Sequence, residues 1–147
     1  MDKSDLGRLT LEPAHASDGA TLARLNAELH AMNGERLTEE QALRDLRMLR
    51  VAGYALGVCR AGGTAIGYAL WREKKRETYI RHFVIDAPYR RQGVGRRFAG
   101  LVLATLPGDR DVRLDVRTEA AIRFWSSLGF RAEPWGMRLE RRRKRAR

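Results

Sequence analysis

Arg90, Arg91, Gln92, Gly93, Val94 and Gly95 are the residues of this chain whose types and spacing are best suited to chemistry. They follow a β-rich apolar run that ends at Ile85, and they lead straight into a helical pattern. Glycines two apart let the backbone turn sharply and bring its N–H groups close to a ligand, where a side chain would intrude. The helix that follows leaves its first N–H groups unpaired and turns its positive dipole end to the same spot. With arginines around it, such a loop is a phosphate cradle. Its spelling argues against two nucleotide loops. A dinucleotide fingerprint needs glycine where Phe98 stands, and an ATPase-type loop needs Lys-Ser/Thr where Arg96 and Arg97 stand.

The elements that must position this loop can be read from periodicity. Leu9 and Leu11 alternate in a first strand over 8–12, and Ser17 and Asp18 can cap a helix carrying Leu22, Leu25, Leu29 and Met32 on one side. Thr38 to Gln41 spell a capping box for a second helix with Leu43, Leu46 and Leu49 as its apolar stripe. Strands over 54–60 and 65–71 join through Gly62-Gly63, and 78–85 completes a meander. A helix over 95–106 carries Phe98, Leu101, Val102 and Leu106 inward, and Pro107-Gly108 ends it. Val112, Leu114 and Val116 alternate in another strand, and Thr118 can cap a short helix with Ala121, Phe124, Trp125 and Leu128 on one face. Gly129 closes that helix, and strands over 130–132 and 137–140 flank Pro134-Trp135-Gly136. The order is β-α-α-β-β-β-α-β-α-β-β.

The chain of 147 residues is long enough for one domain with a single core. Its start is polar and it has no apolar run of bilayer-spanning length, so the expectation is a cytoplasmic protein with no membrane association. The single cysteine, Cys59, has apolar strand neighbours and reads as a core thiol rather than a nucleophile. His15, His30 and His82 are scattered, and no Cys/His spacing points to a metal, so none is expected. The formal net charge is +11, and residues 140–147, ERRRKRAR, carry a large share of it. We expect 141–147 to be a solvated, disordered basic tail open to nucleic acid or an acidic partner, after a domain over 1–140. A homodimer is left open.

The spelling Arg-x-x-Gly-x-Gly at 90–95, followed by DVRTEAAIRFWSSLGF at 115–130, resembles the two motifs of the GNAT superfamily of N-acetyltransferases, and the element order matches that fold. The resemblance implies an α/β (α+β) single domain: a mixed, mostly antiparallel sheet of six to seven strands flanked by four helices. It implies an acyltransferase that uses acetyl-CoA as donor and transfers the acetyl group directly to an amine. The backbone around Phe83, Val84 and Ile85 would pair with the pantetheine arm, N–H groups from Arg91 to Arg96 would hold the pyrophosphate, and Arg90, Arg91 and Arg96 or Arg97 would meet phosphates. The remaining cofactor contacts would come from Gln92, Gly93, Val94, Gly95, Thr118, Phe124 and Trp125. An N–H near Val84 would stabilise the oxyanion, and the thioester would lie in a gap between Phe83 and Val116.

The chain departs from the family where protons move. The usual acidic tyrosine is Trp125, whose indole is no acid at neutral pH, and Ser126, Ser127 or water could stand in. Where relatives place Glu or His as base stand Tyr79 and Arg81. Glu77 and His82 are the nearest alternatives, although strict alternation sends His82 to the face opposite Tyr79. A water chain past Tyr79 or Glu77 serves equally. Acceptor contacts would include Asn26, His30, Glu35, Tyr68, Trp71 and Arg81, and the positive field favours a small amine that also bears an anionic group over a polycation. A protein or peptide acceptor reached through the tail, and a non-catalytic acetyl-CoA-binding regulator, are the competing readings.

Overall fold

The computed structural model describes residues 6–141 as one seven-stranded sheet with two helices on each face. In chain order these are β1 (Leu9–Pro13), α1 (Gly19–Met32), α2 (Glu39–Val51), β2 (Ala55–Ala61), β3 (Thr64–Glu73), β4 (Glu77–Ile85), α3 (Val94–Thr105), β5 (Asp111–Leu114), α4 (Glu119–Ser127), β6 (Arg131–Glu133) and β7 (Gly136–Leu139). The sheet order is β1-β2-β3-β4-β5-β7-β6, and β4–β5 is its one parallel pair. The element order, the mixed mostly antiparallel sheet and the four helices agree with the sequence reading. The basic tail falls outside the described residues except for Arg141.

The two faces have separate cores. Leu22, Leu25 and Leu46 of α1 and α2 pack on Val58, Tyr68, Leu70 and Val84, while Phe98, Val102 and Trp125 of α3 and α4 pack on Cys59, Ile66, Ala69 and Trp71. Thr38 caps α2 as its spelling predicts: Gln41 N donates to its hydroxyl at 3.1 Å, and Thr38 N donates back to Gln41 Oε1 at 2.9 Å. Asp18 behaves differently. A 3-10 turn over Ala16–Asp18 precedes α1, and the carboxylate caps nothing in that helix. It takes a bidentate pair from Arg60, with Nη1 at 3.0 Å and Nη2 at 2.5 Å, both side chains under a tenth exposed. A buried guanidinium needs a carboxylate more than a helix end needs a cap, since a helix end has several substitutes.

Two features of β4 shape the site. Its pairing with β5 ends at Ile80–Leu114, although β4 continues to Ile85, so the strands part from there on. The strand expected to reach Val116 stops at Leu114. The register against β3 runs Leu70–His82 and then Trp71–Ile80, which leaves Arg81 as the extra residue of a β-bulge.

Among the described residues, Thr78 Oγ1 is a buried hydroxyl without a hydrogen-bond partner. Thr78→Val keeps the shape and removes the unpaired group, so it is expected to stabilise the fold by about 1 kcal/mol, seen as a raised Tm in calorimetry.

Candidate functional site

The parted strands open onto two adjoining cavities. One, of about 490 Å³, is lined by residues that include His30 and Glu35 from the α1 side, Tyr79, Arg81, His82 and Phe83 from β4, and Asp115, Arg117 and Thr118 beyond β5. The other, of about 570 Å³, is lined by residues that include Phe83, Val84, Ile85, Arg90, Arg91, Gly93, Gly95, Arg96 and Phe124. Phe83, Ala121, Trp125 and Met32 border both. Between them lies an aromatic floor: the Phe83 ring stands 5.0 Å from Trp125, 5.4 Å from Phe98 and 5.9 Å from Phe124.

The second cavity has an anion-ready backbone. Gly93 caps α3 at φ 78° with no side-chain hydrogen bond to the helix end, and Arg91 also holds a positive φ of 60°. These left-handed residues curl the loop so that the first N–H groups of α3 face outward. At Gly95 a Cβ would meet the Phe124 ring at 3.4 Å, an ordinary packing contact, so Gly93 is the glycine whose conformation the loop requires. Arg24 anchors the approach to the loop through a bidentate pair with Asp86 at 2.9 and 3.0 Å, which holds that carboxyl below its usual range. Arg96 Nη1 donates to Ser127 Oγ at 3.2 Å.

Backbone alternation along β4 decides which polar groups face the gap. Asp86 N donates to Ile66 O at 2.8 Å, so residues 86 and 84 turn their N–H and C=O groups toward β3, and residues 83 and 85 turn theirs away. The Ile85 carbonyl agrees with this, since Arg90 Nε donates to it at 2.8 Å. The backbone edge turned away from β3 therefore belongs to Phe83 and Ile85, with the Ile85 carbonyl held by Arg90, and Val84, 3 % exposed, sends its N–H into the sheet.

The bulge at Arg81 overturns simple alternation. Tyr79 and His82 both reach the first cavity, where sequence spacing alone put them on opposite faces. Arg81 lies over the Tyr54 ring, 5.6 Å from its centroid. Tyr79 donates its hydroxyl to Asp115 Oδ2 at 2.6 Å, with Arg113 over its ring at 4.5 Å; burial first, and then Asp115, push the phenol up to about 12. His82 is 7 % exposed, and burial pushes its imidazole down to about 4, so it is neutral at physiological pH. Cys59 is fully buried, which pushes its thiol up to about 12 and removes it as a nucleophile.

Several candidates take other places. Glu77 lines neither cavity and sits between Arg113 at 3.2 Å and Arg138 at 3.1 Å, a structural ion-pair network. Ser126 is exposed and lines neither cavity, whereas its neighbour Ser127 borders the second. Gln92 donates to Pro88 O at 2.9 Å, Val94 is buried in the core, and Thr118 borders the first cavity while capping α4 through Ala121 N at 3.1 Å. Trp71 is buried among the α3 and α4 residues, on the face away from α1 and α2, because it stands an odd number of residues from Tyr68. Trp71→Phe is expected to cost about 1–2 kcal/mol of stability and to leave the acceptor KM unchanged in steady-state assays.

Sequence reasoning missed Asp115, which lines the first cavity, and Asp45, which lines neither cavity but meets His30 Nε2 at 3.2 Å. Both carried a signal. Asp45 falls on the α2 face that holds Ala42 and Leu46, and Asp115 ends an alternating strand where Asp invites a turn.

Residues 22–130 match the acetyltransferase (GNAT) family. The chain belongs to this family. Among solved structures, this GNAT chain is similar to an acetyltransferase from Thermus thermophilus, at 24% identity over 88% of this chain and 92% of that one with a TM-score of 0.73. It is similar to Ard1 from Thermoplasma volcanium, at 26% identity over 83% and 82% of the two chains with a TM-score of 0.63. A third is Arabidopsis thaliana Naa50 in complex with the bisubstrate analogue CoA-Ac-MVNAL, at 21% identity over 88% and 95% with a TM-score of 0.64. A search of curated protein sequences finds no match. As a GNAT acetyltransferase the protein transfers acetyl groups to amines, and no described helix is long and apolar enough to cross a membrane.

Proposed function

We propose that the protein transfers an acetyl group from acetyl-CoA directly to the primary amine of a small molecule that also bears an anionic group. The observation that carries this reading is the backbone edge of Phe83 and Ile85 turned away from β3, which leads from the arginine-rich α3 end to the junction of the two cavities. That junction suits a polyanionic donor with an extended arm: guanidinium groups of Arg90, Arg91 and Arg96 meet phosphates, and the α3 N–H groups supply fixed dipoles. Acetyl-CoA supplies the activated thioester. Held along β4, the acetyl carbonyl meets the acceptor amine at Phe83, where a backbone N–H of Phe83 or Ile85, rather than of Val84, stabilises the charge growing on its oxygen.

The amine arrives as an ammonium and must lose a proton before its nitrogen attacks. Asp115, half exposed at the cavity wall and oriented by Tyr79, takes that proton directly or through water. The new C–N bond forms as the C–S bond breaks, and solvent or the departing amine proton neutralises the sulfur. With Cys59 buried as a thiol, no covalent relay is needed. Arg81 and Arg117 border the acceptor cavity and suit a carboxylate or phosphate on the acceptor.

A polypeptide α-amine is the second reading. It is favoured by Trp135, 88 % exposed in the β6–β7 turn, whose neighbour Gly136 lies against Leu114 O and Asp115. Calorimetric titration with acetyl-CoA, followed by thiol release against amines grouped by charge, tests both. We expect acetyl-CoA binding that weakens about tenfold in Arg91→Ala, and turnover confined to amines with an anionic group. Absence of acetyl-CoA binding overturns the proposal, and turnover of peptides or polyamines alone overturns the acceptor class.

A further inference from the structure

Two imidazoles and a carboxylate from three elements converge beside the acceptor cavity: His30 of α1 and His82 of β4, which line it, and Asp45 of α2, which does not, with one donor atom of each within 4.8 Å of the others. Their hydrogen bonds determine where the protons lie. Asn26 Nδ2 faces two acceptors, Ala42 O at 2.8 Å and Asp45 Oδ2 at 3.0 Å, so the amide orientation is set and its Oδ1 accepts from the Tyr68 hydroxyl at 3.2 Å. The Tyr68 proton is spent there. The 3.0 Å contact between Tyr68 and His82 Nδ1 therefore has Nδ1–H donating, and His82 Nε2 carries a lone pair.

His30 presents the complementary problem. Glu35 Oε2 stands 3.3 Å from its Nδ1 and Asp45 Oδ2 stands 3.2 Å from its Nε2. A neutral imidazole has a hydrogen on one nitrogen only, so with Nδ1–H given to Glu35, the lone pairs of Nε2 and Asp45 oppose each other. Two arrangements remove that conflict: a second proton on the ring, donated to Asp45, or a metal ion held between Nε2 and Asp45.

We propose that His30, Asp45 and His82 bind one first-row divalent metal ion of the zinc class, with His30 and His82 as Nε2 ligands and Asp45 as an oxygen ligand. Two imidazoles with one carboxylate are a donor set such ions favour. The surroundings fit as well: Glu35 on His30 Nδ1, Tyr68 on His82 Nδ1 and Asn26 on Asp45 are the outer hydrogen bonds that orient metal ligands and set their tautomers. Among the described residues this is the one such cluster of three or more potential ligands. Bound metal would pin α1 and α2 to β4. Because His30 and His82 line the cavity, an ion there would also present positive charge to the acceptor's anionic group, a consequence that rests on the acceptor reading above.

The test uses the full chain without an affinity tag, stripped with chelator and titrated with Co²⁺. We expect one saturable equivalent with the intense visible bands of a low-coordinate site, displacement by Zn²⁺, and a Tm that rises with metal. His30→Gln and His82→Gln should lose the bands. Glu35→Gln, at an exposed position outside the ligand set, should weaken binding about tenfold with the fold intact. Unsaturable binding with the spectrum of aqueous Co²⁺ overturns the proposal, as does binding that persists in a folded His30→Gln chain. Nitrogen NMR showing His30 doubly protonated and indifferent to added Zn²⁺ overturns it too. Acetyl-CoA titration of the same samples keeps the two readings apart, since donor binding without metal binding refutes only the metal site.

Discussion

Asp115→Asn is expected to lower kcat for acetyl transfer about a hundredfold while leaving acetyl-CoA affinity within about twofold of wild type. Asparagine has the size of aspartate and can still accept a hydrogen bond from Tyr79, so the geometry at the end of β5 survives. It cannot take a proton from an ammonium. Tyr79→Phe removes the 2.6 Å bond that orients the carboxylate but leaves the carboxylate itself, and a smaller loss of about tenfold is expected. The contrasting variant is Glu77→Gln. Its carboxylate is committed to Arg113 and Arg138, so the change should lower Tm and leave kcat near wild type. Single-turnover kinetics at saturating acetyl-CoA separate these outcomes. If Glu77→Gln abolished the chemical step and Asp115→Asn did not, the proton acceptor would be misassigned.

Arg60→Leu is expected to destabilise the fold by about 3–5 kcal/mol, because it leaves the buried Asp18 carboxylate without its counter-charge and with only the His15 N–H as partner. In a domain of this size that corresponds to a Tm lower by roughly 10 °C. The pH dependence has a definite sign. Arg60, through its paired hydrogen bonds, holds the Asp18 carboxyl below its ordinary value of 3.8 in the folded state. A carboxyl depressed on folding contributes stability that is present above its unfolded pKa and lost as pH falls through its folded one. The wild-type protein should therefore lose this contribution on acidification below about pH 4, and Asp18→Asn should flatten that part of the profile in chemical denaturation. A profile unchanged by Asp18→Asn would show that the pair does not couple folding to pH.

The site divides into a part that local chemistry spelled out and a part that it did not. The proposed phosphate cradle was legible because its features are backbone features: Gly93 is left-handed, and the helix end is built from consecutive residues. The acceptor side was legible only in fragments. His30 and Glu35 could be named from the sequence and border the first cavity, whereas Asn26 and Tyr68, also expected there, are fully buried and line neither cavity, and Asp45, which meets Asn26 and His30, looked like one more polar residue of α2. Trp71 was misplaced because its distance from Tyr68 was not held against the two-residue period of a strand.

The sequence by itself determined the element order, the capping of α2 and α4, and the glycine loop that leads into α3. Each rests on hydrogen bonds and periodicities within a few residues. The tertiary structure decided which backbone edge of β4 turns away from β3, which face His82 takes, and which carboxylates meet His30 and Tyr79. The physical reason is that β-bulges, strand ends and buried ion pairs are settled between segments far apart in the chain. The extra residue at Arg81 follows from pairing with β3, and the gap opens where β5 stops at Leu114. Asp18 accepts from His15 N in the turn before α1 and pairs with a guanidinium of β2 buried beside it, instead of capping α1.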